Sequence, residues 1–368
     1  MMKGISPSSE LLAPAGDFAT ALAAFEAGAD AVYCGLADFS ARAFAKNLCP
    51  EELELLVRRA HADGKKVYVT FNTLLDEDQL DGAVETLARL EEIAPDGVIV
   101  QDLGVARLIR TNFPTLALHA STQLVAHNLE GVLALGELGF TRVVLARELS
   151  LEEIRSIAKR CGDIELEVFI HGALCYSLSG LCLFGAMEKG RSGNRGMCPY
   201  CCRQENHGRY PFSMKDLRLG AEVLKLAEAG VASLKIEGRM KTPLYVSSVT
   251  RYYRELLDGL KSTVSQEDLE TVFSRRTTGL YFNGDKVSSP VIDAESLGHR
   301  GAPIAEVKRI TRDRDGRAWL RFHTRRALEK HDGLQFDALN DEGRHLGFGI
   351  AGMRQAISRR EVFEVAAG

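Results

Sequence analysis

ELLAPAGDFATALAAFEAGADAVYCG, residues 10–35, sets the pattern of this chain. A short β-rich run (10–15) ends in small residues, and the helical run ATALAAFEAGA follows. A second β-rich run (31–35) begins after the glycine that closes the helix. The same order recurs. Further β-rich runs stand at 66–71, 97–101, 117–121, 142–146, 166–170 and 233–236, which makes eight in all. Amphipathic stretches such as PEELELLVRRAHADG, LDGAVETLARLEEI and LEEIRSIAKRC lie between them, and AGAD, ADGKK, LGF and AGVASL supply helix-closing glycines. Eight strand–helix units of about thirty residues predict an α/β fold, a (β/α)8 TIM-like barrel. The competing architecture is an open doubly wound sheet. The count of eight, and the lack of a glycine-rich nucleotide fingerprint after the first strand, favour the barrel.

The predicted barrel spans residues 1–262, a connecting segment spans 263–297, and a small β-rich domain spans 298–368. In the last, PIAEVKRI, AWLRFHT, DGLQFDA and REVFEVAA read as strands. The region stops abruptly at Gly368, as a fragment or a naturally short form does. From Arg300 to Arg326 nine Lys/Arg face three Asp/Glu, a local charge of 9 − 3 = +6. With Trp319 among them, this stretch could bind an RNA backbone or could be a solvated surface. The whole chain carries a net charge of −4 over 368 residues, which points to no partner by itself. No apolar signal segment follows the N-terminus and no run is long enough to span a bilayer, so a cytoplasmic protein without a membrane span is expected.

The even spacing breaks once, after the seventh strand. More than 40 residues, 172–214, precede the next predicted helix, and a loop that long is usually functional. In a barrel it lies at the C-terminal face, where active sites are built. It contains Cys175, Cys182, Cys198 and Cys202, spaced C-x6-C-x15-C-x3-C, with Cys201 as a fifth sulfur. Four thiolates are a full coordination set for zinc or for an iron–sulfur cluster, and the residues alone do not choose between them. Unrelated buried thiols are the plainer alternative, which a polar, Gly/Arg-rich loop disfavours. Glycines at 180, 185, 190, 193 and 196 suit tight folding round a metal. Cys34, Cys49 and Cys161 read as core or strand-end residues.

The stretch EVFIHGALCYSLSGLC (167–182) resembles the signature of the U32 peptidase-like family. HASTQ (119–123), LARELS (145–150), RSGNRGMC (191–198) and KIEGRMK (235–241) are also similar to that family, so the resemblance covers essentially the whole barrel. One departure is Phe184–Gly185, where the family usually has an aliphatic residue and then Ser. The name implies a collagenase-like peptidase. The better-understood members imply oxygen-independent hydroxylation with a [4Fe-4S] cluster on four cysteines. The resemblance assigns Cys175, Cys182, Cys198 and Cys202 as its ligands. The implied substrates are a 23S rRNA cytidine, a tRNA wobble uridine or a quinone precursor, with prephenate as co-substrate of the RNA branches. GHRGAPIAEVKRI (298–310) is similar to the post-barrel segment of the rRNA-type members, so RNA is the expected partner.

Strand C-termini face substrate in such a barrel. A small dicarboxylate co-substrate needs two or more cations, for which Arg42, Arg147, Arg239 and Lys241 are the candidates. Pairing of Arg147 with Glu148, or of Glu237 with Arg239, would make these structural instead. Asn72, His119, Ser121 and Gln123 are further substrate-binding candidates, the last three sharing one side of a strand. His171 and Glu237 are the candidates for acid–base work. Neither H-E-x-x-H nor G-x-S-x-G occurs, which counts against proteolysis, although Cys175 and His171 lie close in sequence.

Overall fold

The computed structural model describes residues 9–42, 46–273, 275–286, 290–339, 345–355 and 362–367. The extreme N-terminus and Gly368, on which two expectations rest, lie outside these residues. Contacts divide the chain into two units, residues 1–297 and 298–368.

In the first unit the β-rich runs become β1 (Glu10–Pro14), β2 (Ala31–Gly35), β3 (Lys66–Phe71), β4 (Gly97–Val100), β5 (Leu118–Ala120), β6 (Arg142–Val144), β7 (Glu165–Ala173) and β9 (Ser233–Ile236). Each is hydrogen-bonded in parallel to the next. β9 pairs with both β7 and β1, which closes the eight strands into a barrel. The strands are buried on both faces, which explains their near-continuous apolar reading. Helices α1 (Phe18–Glu26), α2 (Pro50–Ala62), α3 (Leu80–Ile93), α4 (Leu103–Asn112), α5 (Leu129–Glu137) and α6 (Leu151–Ala158) alternate with strands β1 to β7. Their starts are written in the sequence. Asp17 accepts the Thr20 amide at α1, and Ser150 forms a reciprocal cap with Glu153 at α6. Glycines 28, 64, 139 and 230 have the positive φ expected of helix ends.

Two expectations change here. The stretch after β7 is not one irregular loop. It holds a short helix, α7 (Phe184–Lys189), and a strand, β8 (Asp216–Arg218), antiparallel to the end of β7. Helices α8 (Val223–Glu228) and α9 (Pro243–Leu257) flank β9. The segment 263–297 is also more than a connection. It contributes α10 (Gln266–Val272) and β10 (Thr277–Thr278), which extends β8, and buries Leu280 and Phe282 in the main core.

Inside the barrel, Leu12, Ala31, Tyr33, Tyr68 and Ile99 form a small lumen cluster, apart from the large core between strands and helices. Beneath it lies a buried charge network. Arg142 pairs with Glu10 (2.7 Å), Glu165 (2.7 Å) and Glu167 (3.6 Å), and Lys235 pairs with Glu167 at 2.6 Å.

The second unit is a five-stranded antiparallel sheet in the order β11-β12-β15-β14-β13. Its strands are β11 (Arg309–Arg312), β12 (Ala318–His323), β13 (Gly333–Leu339), β14 (His345–Gln355) and β15 (Val362–Ala367), packed over Leu320, Phe322, Ile350 and Val365. β14 was missed in the sequence because three glycines interrupt its alternation. Most of PIAEVKRI lies before β11 rather than within a strand. Among the described residues, no helix is long and apolar enough to cross a membrane.

Candidate active site at the barrel mouth

A cavity of about 160 Å3 opens where β1 to β9 end, under the excursion that follows β7. Cys175, Cys182, Cys198, Cys201 and Cys202 all reach its wall. No disulfide joins them. Burial pushes the Cys198 and Cys202 thiols up, and the neighbouring cysteine sulfurs add to it. Thiols raised in this way give up their protons only to a metal that supplies the compensating charge, and thiolate sulfur is what zinc and iron–sulfur clusters take. The donor set therefore fits an iron–sulfur cluster or zinc in kind. The sulfurs are not drawn into a closed group, for no three His, Cys, Asp or Glu among the described residues are placed to hold an ion as they stand.

The excursion is shaped by close packing. A Cβ on Gly185 would lie 2.5 Å from Pro199 Cδ and 2.7 Å from the Arg191 carbonyl oxygen. Of the departure Phe184–Gly185, the glycine is thus the half that close packing favours where α7 meets the segment carrying Cys198. Asn194 is buried and ties the two halves together: its Oδ1 accepts the Cys182 amide at 2.9 Å and its Nδ2 donates to Gly180 O.

The same wall is cationic: Arg42, Arg147, Lys235 and Arg239 line it, with Glu237 among them. Glu237 bonds Arg42 at 2.9 Å and accepts from the Tyr33 hydroxyl at 3.0 Å. Burial alone would raise its carboxyl, but Arg42, Arg147 and Arg239 prevail and hold it at about 2. Glu237 is therefore a fixed anion at neutral pH. The alternative pairings of Arg147 with Glu148 and of Glu237 with Arg239 do not form as contact ion pairs. Arg239 donates to Ser40 (2.6 Å) and Thr70 (2.7 Å), and Glu148 accepts from Ser179. Arg147 lies over the Phe169 ring at 4.1 Å and donates to Ala173 O, while its buried Nε has no partner. Asn72, Ser121 and Gln123 meet at one point of the wall, where Gln123 Oε1 accepts from Asn72 (3.1 Å) and Ser121 (3.1 Å). β5 ends at Ala120, so Gln123 arrives on the following turn rather than by strand alternation.

Three sequence candidates lie elsewhere. His171 points away from the cavity, its Nδ1 3.1 Å from the Tyr253 hydroxyl on α9. The cause is an irregularity in β7: Phe169 pairs with Lys235, but His171 pairs with the next residue, Ile236. One extra residue turns His171 to the outer face. Burial, helped by Arg218, brings its imidazole down to about 3, so it is neutral. His119 faces the lumen below the cavity, its ring 4.8 Å from that of Tyr68, and burial with Arg142 nearby keeps it neutral too. Lys241 packs on Phe273 and Tyr245, and burial, then Arg275, lower its amine to about 8. Cys49 is exposed and caps α2, rather than being a core residue.

Lys235 was missed as a wall residue. Its signal was the alternation of β9, where Ser233 and Lys235 share the inward side. Burial lowers its ammonium, opposed by Glu167.

A (β/α)8 barrel that gathers thiols and cations on one cavity at its C-terminal mouth belongs to a class of scaffold on which active sites are commonly built. The sequence matches the model of Peptidase family U32 over residues 16–290, and the chain belongs to that family. It is 38% identical over 329 residues to the 23S rRNA 5-hydroxycytidine synthase of Escherichia coli, covering 83% of this chain and 49% of that protein. It is 34% identical over 306 residues to tRNA hydroxylation protein P of the same organism, covering 68% of each. It is also 31% identical over 310 residues to a collagenase of Porphyromonas gingivalis, covering 76% of this chain and 74% of that one. The chain thus spans about half the length of the first of these relatives.

Proposed function

We propose that this protein hydroxylates a nucleobase in RNA without molecular oxygen, holding a [4Fe-4S] cluster on Cys175, Cys182, Cys198 and Cys202 and using a small dicarboxylate, prephenate, as co-substrate. The observation that carries the reading is the convergence of these thiols and four cationic side chains on one cavity. The names of the relatives, a 23S rRNA 5-hydroxycytidine synthase and a tRNA hydroxylation protein, support RNA as the substrate class, and with it a cytoplasmic protein.

A cluster bound there would supply one-electron redox chemistry beside the substrate. The protein's own side chains do the rest. Arg42, Arg147, Lys235 and Arg239 line the cavity with one carboxylate, Glu237, a wall excess of 4 − 1 = +3, while Glu167 lies outside the lining and is shared by Lys235 and Arg142. That excess suits a dianionic ligand. Arg147 offers an unspent Nε–H to a carboxylate. Glu237, locked ionised, orients Arg42 and the Tyr33 hydroxyl rather than moving a proton itself. The Asn72–Gln123–Ser121 group presents neutral donors and acceptors that can orient a base edge.

A peptidase is supported less. No histidine lines the cavity among the described residues, and His171 is turned away from Cys175 to Tyr253. The test is anaerobic purification followed by metal analysis and nucleoside mass spectrometry of RNA from a deletion strain. A brown protein with about four irons, and a hydroxylated nucleoside lost on deletion and on Cys175→Ala substitution, are expected. A colourless zinc protein, or unchanged nucleosides, would overturn the reading.

A further inference from the structure

The cysteine excursion exposes far more apolar surface than its length warrants. Tyr176, Leu181, Leu183, Met187, Tyr200 and Phe212 all stand out from it. Clustered exposed apolar side chains mark a surface that something else covers. Three rings in it touch each other. Tyr176 and Phe212 have centroids 4.9 Å apart at 58°, and Phe184 meets Phe212 edge-on at 5.9 Å. Tyr176 and Phe184 also line the cavity, so the group sits on the cavity's rim.

The charge of the same stretch selects the occupant. Residues 176–212 carry five Lys/Arg and two Asp/Glu, 5 − 2 = +3, in a chain whose net charge is −4. Lys189, Arg191 and Arg209 are exposed on it. Flat apolar rings among exposed cations complement a single-stranded nucleic acid, which has π-faces on its bases and an anionic backbone. A second copy of the chain would bring the same positive charge to the same patch. A neutral peptide would offer nothing to the net positive charge of the stretch.

We infer that Tyr176 and Phe212, backed by Phe184, form a stacking seat for one unpaired nucleobase at the rim of the cavity, with the adjoining backbone running over the basic part of the excursion. This rests on the proposed RNA reading and adds how the RNA is gripped. Half-exposed rings are lost at little cost to folding, so the seat can be removed by Tyr176→Ala with Phe212→Ala.

The experiment compares binding of a short fluorescein-labelled oligouridylate and of an abasic ribose–phosphate oligomer of equal length, by anisotropy, on the full chain. The wild type should prefer the oligouridylate. The double variant should lose about 5- to 100-fold of that affinity, as loss of about 1–3 kcal/mol of stacking requires, with abasic binding unchanged. Tyr176→Phe should bind as the wild type does. Equal binding of both oligomers by the wild type, or no loss in the double variant, overturns the seat. Displacement of the oligouridylate by gelatin peptides whose own binding needs both rings would assign the seat to polypeptide and overturn it too. RNA hydroxylation that persists with unchanged KM in the double variant sinks the seat alone. Failure of the wild type to bind or hydroxylate RNA sinks the proposed function with it.

Discussion

Replacing His171 by phenylalanine separates a structural histidine from a catalytic one. The imidazole is buried against Tyr253 and Tyr245 and titrates at about 3 in the folded protein, against an ordinary value of 6.5. Below pH 6.5 the unfolded chain takes up a proton there that the folded one refuses. Stability is therefore full above pH 6.5 and falls as pH drops toward 3. At pH 5 the loss is about 2 kcal/mol, from about 1.4 kcal/mol for each pH unit. Spread over a unit of 297 residues, that corresponds to about 3 °C in Tm. Phenylalanine keeps a ring in the site, and the Tyr253 hydroxyl retains Ile170 O at 3.1 Å and the Gly220 amide at 3.4 Å. Its packing cost does not change with pH. Thermal melts at pH 7.5 and pH 5 should thus show the variant gaining about 3 °C on the wild type as pH falls. Activity at pH 7.5 should be retained, because His171 does not reach the cavity. Parallel melting curves at the two pH values would refute the burial argument. A folded variant with activity reduced by orders of magnitude would return His171 to the chemistry.

Two further outcomes follow from the same geometry. Gly185→Ala should push α7 off Pro199, costing about 1–3 kcal/mol and lowering the bound metal per chain, as metal analysis and melting would show. Wild-type stability and metal content in this variant would mean that the packing there is loose. Glu237→Gln removes a carboxylate held at about 2 instead of 4.5, a difference of about 3 kcal/mol. That contribution is fully present above pH 4.5 and lost as pH falls toward 2. Urea denaturation should show the variant weaker at pH 7 with the gap closing below pH 4.5, and a gap constant with pH would contradict the argument.

The barrel was legible because its signals are local. Eight buried runs, helix-closing glycines and the caps at Asp17 and Ser150 all act within one turn or one strand. The cysteine excursion was legible as an interruption of that rhythm, Arg147, Arg239 and Glu237 as strand-end residues, and Arg42 as part of the loop after the second strand. What the sequence concealed depends on register. The extra residue in β7 that turns His171 outward leaves no mark in composition or alternation. The partners of the charged residues were also hidden. Glu237 passes over Arg239, two residues away, for Arg42, distant in the chain. Lys235 was hidden in an apolar run because its charge is answered by Glu167 on the neighbouring strand.

The four cations of the cavity are not equivalent, and under the proposed function the difference favours Arg147 as the anion's partner. Lys235 is held by Glu167, Arg42 by Glu237, and Arg239 by the hydroxyls of Ser40 and Thr70. Each raises the potential of the cavity while one of its nitrogens is tied to these acceptors. Arg147 differs: its Nε is buried and unpartnered, a state that costs free energy until an acceptor arrives. The same residue is fastened to the cysteine excursion twice, through its amide to Ser179 Oγ at 2.9 Å and through its guanidinium to Ala173 O at 3.1 Å. Glu148 adds a third tie to Ser179. An anion that engages Arg147 therefore pulls on the segment that carries Cys175 and Cys182. Under the proposed function, an anion held by Arg147 and the placement of the thiols would be coupled through that one residue.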